Sequence, residues 1–126
     1  MAKILVVDDA KDLLLFLSEL LKMKGFEVAT ALSEKEMESQ LALSIPDLVL
    51  LDVWLDNKNA SELCIEMKAN DLYRHIPVIL LSSDPELLKD HEKCGAADIL
   101  QKPFDINTVV DKINGLLVEP LSSTAG

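Results

Sequence analysis

Short aliphatic segments alternate with segments of helical periodicity five times along this chain, and this alternation limits the possible folds most strongly. The strand-like segments are residues 3–7, 27–31, 47–51, 76–81 and 97–101. The helical segments, with their capping residues, are 11–24, 33–43, 61–69, 85–93 and 105–118. Strands and helices that alternate in this way form a parallel sheet with right-handed crossovers and helices on both faces. The sequence therefore predicts a five-stranded, doubly wound α/β domain.

Residues that begin or end helices stand at the boundaries of these segments. Gly25 and Gly95 lie where helices should end, and Pro85 suits the first turn of a helix. Ser33, followed three residues later by Glu36, fits a capping box. These residues set the predicted limits of the helices.

The composition fits one domain with an aliphatic core. The chain has 126 residues, of which 49% are hydrophobic and only 4% aromatic, as expected for buried parallel strands. We predict a domain over residues 1–118. Residues 119–126 contain Pro, Ser, Thr and Gly, which predicts a flexible tail or the start of a linker.

The charge and the lack of sorting signals restrict the partners and the compartment. A formal net charge of −10 argues against direct binding to nucleic acid or to an anionic membrane. No secretory signal and no apolar run of membrane-spanning length is visible, so we expect a cytoplasmic protein. Cys64 and Cys94 are interpreted as reduced thiols, since neither belongs to a metal-binding or redox motif.

Polar residues follow four of the predicted strands, where an open parallel sheet places its ligand site. Asp8 and Asp9 follow the first strand, Asp52 the third, Ser82 the fourth and Lys102 the fifth. The fold should gather these side chains along one edge of the sheet. An Asp at a strand end can also merely cap the next helix, and for any one of these residues alone that explanation is sufficient.

Together these five residues indicate metal-assisted phosphoryl transfer. Three carboxylates in one cleft require a cation, and Mg²⁺ prefers oxygen ligands while it retains waters that a phosphate can replace. A carboxylate that attacks phosphorus forms an acyl phosphate. A lysine and a hydroxyl can then neutralise the oxygens of the transferring group.

Four segments, in this order and at these intervals, resemble response-regulator receiver domains along nearly the whole chain. They read ILVVDD at residues 4–9, PDLVLLD at 46–52, IPVILLS at 76–82 and GAADILQKPF at 95–104. The resemblance implies a flavodoxin-like (βα)5 fold with strand order 2-1-3-4-5. It also implies a signalling domain of a two-component or phosphorelay system, which is not an enzyme but assists its own phosphorylation and dephosphorylation.

The resemblance implies a phosphoacceptor and a metal site. Asp52 would accept the phosphoryl group from a phosphohistidine. Asp9 and Asp52 would bind Mg²⁺ directly, together with the backbone carbonyl of Trp54. Asp8 would act mostly through a metal-bound water.

The remaining implied roles belong to residues at the ends of the fourth and fifth strands. Lys102 would pair with the phosphoryl oxygens, and the Lys102–Pro103 bond would be cis, which costs little only before proline. Ser82 would move inward to hydrogen-bond the phosphoryl group. This movement would alter an interaction face made of the fourth helix, the fifth strand and the fifth helix.

The implied partners are a sensor histidine kinase or a histidine phosphotransfer protein. Downstream, the chain would act on a separate protein or on an effector domain that lies outside this sequence. A weak homodimer through the fourth and fifth helices is left open, since no residue of the sequence argues for it.

Several positions depart from the family pattern. Ile99 replaces the usual Tyr or Phe, whose ring changes rotamer when the hydroxyl moves. Asp56 follows Leu55 where members usually have proline, and Ala60 replaces a glycine, so the loop after the acceptor is expected to differ in shape. We also hypothesise that Trp54 and Asp84, which flank the site, tune the access of water to the aspartyl phosphate.

Two other classes of function remain open from the residues alone. A pseudo-receiver that binds proteins without phosphorylation is favoured by Ile99 and Ala60, but the acidic trio with Ser82 and Lys102 argues against it. An enzyme on a related scaffold is the other class. An aspartyl phosphatase usually needs an acid where Trp54 stands, and a flavin-binding protein needs a phosphate loop where Asp8 and Asp9 stand.

Overall fold

The computed structural model describes residues 1–117. Its strands are β1 (Lys3–Val7), β2 (Glu27–Ala31), β3 (Leu48–Asp52), β4 (Trp54–Leu55), β5 (Lys58–Asn59), β6 (Val78–Ser82) and β7 (Asp98–Gln101). Its helices are α1 (Lys11–Met23), α2 (Glu34–Leu43), α3 (Ser61–Ala69), α4 (Pro85–Leu88), a 3₁₀ helix (His91–Cys94) and α5 (Ile106–Leu117). The predicted last helical residue, Val118, and the predicted tail lie outside the described residues.

Five strands form one parallel sheet in the order β2-β1-β3-β6-β7. Numbered among themselves, these strands have the order 2-1-3-4-5, so the predicted flavodoxin-like topology is confirmed. All five residues of β3 and of β6 are buried. The helices cover both faces of the sheet, which explains why the central strands are continuously apolar instead of alternating.

The core consists of two apolar layers, one on each face of the sheet. Leu5, Val49 and Leu80 face the layer that contains the buried side chains of α2 and α3. Ile4, Leu50 and Ile79 face the layer that contains those of α1 and α5. Alternate residues of each strand thus serve opposite layers, and the sheet is held rigidly with its carboxyl edge free for a site.

A small hairpin after β3 stands where the sequence predicts only a loop after Asp52. β4 and β5 pair antiparallel, with Trp54 opposite Asn59 and Leu55 opposite Lys58. The two residues of the turn, Asp56 and Asn57, have φ values of 55° and 61°. Positive φ at both turn positions matches a type I′ turn, whose twist suits a two-residue hairpin.

The helix predicted over residues 85–93 is wrong in its second half. α4 ends at Leu88, and the 3₁₀ helix His91–Cys94 precedes Gly95, which has a φ of 91°. Leu88 and Cys94 are both buried in the same apolar layer. Six residues of continuous α-helix would place these side chains about 120° apart around the helix axis. The change of winding between them allows both to reach the core.

Candidate functional site

The carboxyl edge of the sheet brings together the five residues that the sequence singled out. Asp52 and Ser82 are the last residues of β3 and β6, while Asp8 and Lys102 directly follow β1 and β7. Because β1, β3, β6 and β7 are neighbours in the sheet, their ends form a continuous row. Asp9, the next residue after Asp8, completes the set.

The three aspartates form a compact acidic cluster. One carboxylate oxygen from each of Asp8, Asp9 and Asp52 lies within 4.8 Å of the others. Asp8 is 1% exposed and Asp52 is 6% exposed, whereas Asp9 is open to solvent. Two buried carboxylates with a third at the rim make a site that is strongly negative and accessible from one side.

Lys102 supplies positive charge to this cluster. Its Nζ lies 2.7 Å from Asp8 Oδ2 and 3.3 Å from Asp52 Oδ2. The Lys102–Pro103 peptide bond is cis, as the resemblance implied. The side chain of Lys102 therefore reaches both carboxylates from the end of β7.

Each strand-end side chain also accepts a hydrogen bond from the main chain two residues later. Asp8 Oδ1 accepts from the Ala10 N–H at 2.9 Å, and Asp52 Oδ1 accepts from the Trp54 N–H at 3.0 Å. Ser82 Oγ accepts a hydrogen bond from the Asp84 N–H at 3.0 Å. These are the turn contacts expected of Asp and Ser after a strand. They occupy one oxygen of each carboxylate and leave Oδ2 directed at Lys102, so the structural and the chemical explanations apply together.

The electrostatic balance of the cluster shifts two pKa values. Burial, followed by the charge of Asp8, raises the pKa of Asp52 to about 6, against the opposing effects of the Trp54 N–H and of Lys102. For Lys102, burial lowers the pKa, but its hydrogen bonds and charge interactions with Asp8 and Asp52 outweigh burial and raise it. At neutral pH, Asp52 is therefore mainly ionised, as a nucleophile must be, beside a fully charged ammonium.

The donor set fits Mg²⁺ better than a softer metal. The cluster offers carboxylate oxygens without a thiol or an imidazole, and a hard cation prefers such ligands. Asp9 is exposed, so the cluster is open to solvent on that side. The predicted metal ligands are thus brought together by the fold, while their role as ligands stays a prediction.

Trp54 lies at the mouth of the site. This residue is 49% exposed, and its N–H donates to Asp52 Oδ1. Ile99, at the usual aromatic position, is partly buried and packs against the α2–α3 layer of the core. Asp56, at the position where the family usually has proline, adopts a φ of 55°, which proline cannot reach.

Sequence reasoning missed the contacts that hold this loop in place. Asp56 Oδ2 accepts a hydrogen bond from the Glu34 N–H of α2 at 3.0 Å, and Lys58 Nζ lies 3.2 Å from Glu34 Oε1. The adjacent Asp–Asn pair is a signal for a turn and could have predicted the hairpin. Nothing local predicts that its tip reaches α2.

Comparisons with known proteins agree with this geometry. The family model for the response regulator receiver domain matches residues 4–114. The response regulator PleD of Caulobacter vibrioides is 34% identical over 82% of this chain and 23% of its own length. The transcriptional regulatory protein CpxR of Escherichia coli is 38% identical over 93% of this chain and 50% of its own length.

A solved structure shows the same fold. The chemotaxis protein CheY4 of Vibrio cholerae superposes with a TM-score of 0.85 at 27% identity, covering 93% of this chain and 99% of its own. The two curated relatives, in contrast, are at least about twice as long as the matched segment. By its sequence, its sheet order and the acidic edge of that sheet, this chain belongs to the response regulator receiver domain family.

Proposed function

We propose that this chain accepts a phosphoryl group on Asp52 from a phosphohistidine, with Mg²⁺ bound at the acidic cluster, and thereby switches a protein-interaction face. The observation that carries the proposal is the contact of one ammonium, Lys102, with both buried carboxylates of the cluster. Buried charges are costly unless they are paired. A site of this kind is maintained where chemistry requires it.

Asp52 is held ready for attack on phosphorus. The Trp54 N–H fixes its Oδ1, which leaves Oδ2 as the nucleophile. The bond from this oxygen to phosphorus forms while the bond from phosphorus to the imidazole nitrogen of the donor breaks. No change of the Asp52 rotamer is required before this step, because the turn contact already orients the carboxylate.

Lys102 and Ser82 would stabilise the negative charge of the incoming phosphoryl group. A phosphoryl group on Asp52 adds a charge of roughly −1.5 to −2. The Lys102 ammonium, 3.3 Å from Asp52 Oδ2, can exchange its contact with Asp8 for a phosphoryl oxygen. The Ser82 hydroxyl accepts the Asp84 N–H and keeps its own proton to donate to the phosphoryl group.

The metal site would be made by Asp8, Asp9, Asp52 and the Trp54 carbonyl. Bound Mg²⁺ would neutralise the acidic cluster and stabilise charge on the transferring group. Asp9, at the exposed rim, would supply a direct ligand from the solvent side. Asp8, which is paired with Lys102, would act mainly through water.

The signal would leave the site through the segment that follows β6. Movement of Ser82 toward the phosphoryl group would withdraw the acceptor of the Asp84 N–H, and Asp84 Oδ1 in turn accepts from the Glu86 N–H at the start of α4. This would bias α4, β7 and α5 between two arrangements. Ile99 lacks the ring that most receivers use, so α4 itself would carry more of the change.

The proposed partners follow from the same chemistry. The donor would be a sensor histidine kinase or a histidine phosphotransfer protein in the cytoplasm. The recipient of the signal would be a separate protein or an effector domain outside this sequence; the relative named a transcriptional regulatory protein is about twice as long as its matched segment. Among the described residues, no helix is long and apolar enough to span a membrane.

Acetyl phosphate, a small phosphoryl donor, tests the proposal without knowledge of the kinase. Incubation with Mg²⁺ should add the mass of one phosphoryl group to the intact protein, and EDTA or Asp52→Asn should prevent the addition. Asp111→Asn, an exposed change on α5, is the matched control and should label normally. A wild-type chain that folds, binds Mg²⁺ and never labels would instead favour a pseudo-receiver.

A further inference from the structure

The loop that follows the phosphoacceptor is fixed at its base. The Val53 N–H donates to the Leu81 carbonyl at 2.9 Å, which ties the start of the loop to β6. The Ala60 N–H donates to the Val53 carbonyl at 2.5 Å, which closes the loop on itself. The two ends of the loop over residues 53–60 are therefore held together beside the end of β6.

The tip of the loop is fixed as well, by α2. Asp56 Oδ2 accepts from the Glu34 N–H at 3.0 Å, a main-chain donor in the first turn that has no partner within the helix. The carboxylate also lies at the positive end of the helix dipole. The ion pair between Lys58 and Glu34 joins two long side chains that are at least partly open to solvent and should contribute little.

The hairpin register determines where the Trp54 main chain points. The single bond from the Ala60 N–H to the Val53 carbonyl flanks the pairing of Trp54 with Asn59, so Trp54 and Asn59 are a pair of the non-hydrogen-bonded kind. The Trp54 N–H and carbonyl therefore face away from β5. The N–H reaches Asp52 Oδ1, and the carbonyl of the same residue lies on that side of the strand.

We propose that Asp56 is a positioning residue for the metal site, which it serves by anchoring the hairpin to α2 so that the Trp54 carbonyl is presented beside the acidic cluster. This inference rests on the proposed function, because it requires that the cluster bind Mg²⁺. Asp56 does not itself touch the cation. It reduces the number of conformations that the loop samples before the cation arrives.

The expected effect is a loss of Mg²⁺ affinity at an otherwise intact site. When a site is competent for only a fraction of the time, its apparent dissociation constant rises by the inverse of that fraction. A loop that keeps its base and loses its tip should raise the dissociation constant about three- to tenfold, less than the roughly 10- to 100-fold that is typical for residues bonded directly to metal ligands. Trp54 is the only tryptophan of the chain, so its fluorescence reports the titration.

Two pairs of variants separate the anchor from other effects. Asp56→Gly keeps the positive φ but removes the acceptor, whereas Asp56→Asn keeps both. Glu34→Pro removes the N–H donor at a first helical position that tolerates proline, and Ser33 before it is already extended, with φ −153° and ψ 167°. Glu34→Ala keeps that N–H and removes only the ion pair with Lys58.

Asp56→Gly and Glu34→Pro should weaken Mg²⁺ binding alike, while Asp56→Asn and Glu34→Ala should bind like wild type. At saturating Mg²⁺, all four should be labelled by acetyl phosphate at the wild-type rate. Each variant is checked for folding by circular dichroism. If a variant at Asp56 fails to fold, the pair at Glu34 decides alone, and the reverse also holds.

Unchanged Mg²⁺ affinity in both anchor-removing variants would overturn the inference and leave the proposed function intact. Equal weakening by Asp56→Asn and Asp56→Gly would also overturn it, because charge and not position would then matter. Absence of Mg²⁺ binding by the wild-type chain would instead remove the proposed function, and the inference with it.

Discussion

The substitution Asp52→Asn should stabilise the metal-free protein. In the native site, burial and the charge of Asp8 disfavour the ionised form of the Asp52 carboxyl. The pKa of the Asp52 carboxyl is about 6 in the folded chain, compared with an ordinary value of 3.8. One pKa unit corresponds to about 1.36 kcal/mol. The shift therefore costs up to about 3 kcal/mol of folding free energy at neutral pH.

The sign of the pH dependence follows from the raised pKa. Below the ordinary value of 3.8 the carboxyl is protonated in both states, and it imposes no cost. As the pH rises, the unfolded chain ionises first, so the native state loses stability until the pH passes about 6. The gain from Asp52→Asn should be about 3 kcal/mol near pH 7.5 and about half of that near pH 5.

Urea denaturation in EDTA at these two pH values measures the effect. Asparagine retains an oxygen for the Trp54 N–H, Lys102 retains Asp8, and the amide NH₂ that replaces Oδ2 should donate to Asp8, as the protonated Asp52 carboxyl does. Asp111→Asn makes the same chemical change at an exposed site and should alter stability by less than about 0.5 kcal/mol. A variant that is less stable than wild type near pH 7.5, or a gain that does not shrink toward pH 5, would refute the reasoning.

Three further substitutions test individual side chains of the site. Lys102→Met should leave Mg²⁺ affinity equal or tighter, because Asp8 loses a competing cation, but should slow labelling by acetyl phosphate at least about tenfold; labelling at the wild-type rate would contradict the role of the ammonium. Ser82→Ala should still label, but the amide resonance of Asp84 in nuclear magnetic resonance spectra should no longer shift on phosphorylation; an unaltered shift would remove Ser82 from the switch. Trp54→Ala should shorten the half-life of the aspartyl phosphate by admitting water, and equal half-lives would end that hypothesis.

The sequence was sufficient to predict the sheet and the residues at its edge. Continuous aliphatic strands that alternate with helices leave few topologies, and the strand order that the resemblance to receiver domains implied places Asp8, Asp52 and Lys102 together. The structure adds the distances between them. It also shows that one oxygen of each carboxylate serves a turn while the other faces the lysine.

The parts that were not predicted depend on short elements or on distant contacts. Two-residue strands such as Trp54–Leu55 are too short to show periodicity. The contact of Asp56 with the Glu34 N–H joins residues 22 apart in the chain, and neither residue type signals it. The winding change after Leu88 depends on burial against the core, which overrides local helix propensity.

Chemical trapping on the phosphorylated protein tests the central claim most directly. Borohydride reduces an aspartyl phosphate to homoserine, and peptide mapping then identifies the modified position. After treatment with acetyl phosphate and Mg²⁺, we expect homoserine at position 52 and at no other aspartate. Homoserine at Asp8 or Asp9, or none in a folded chain that binds Mg²⁺, would contradict the account.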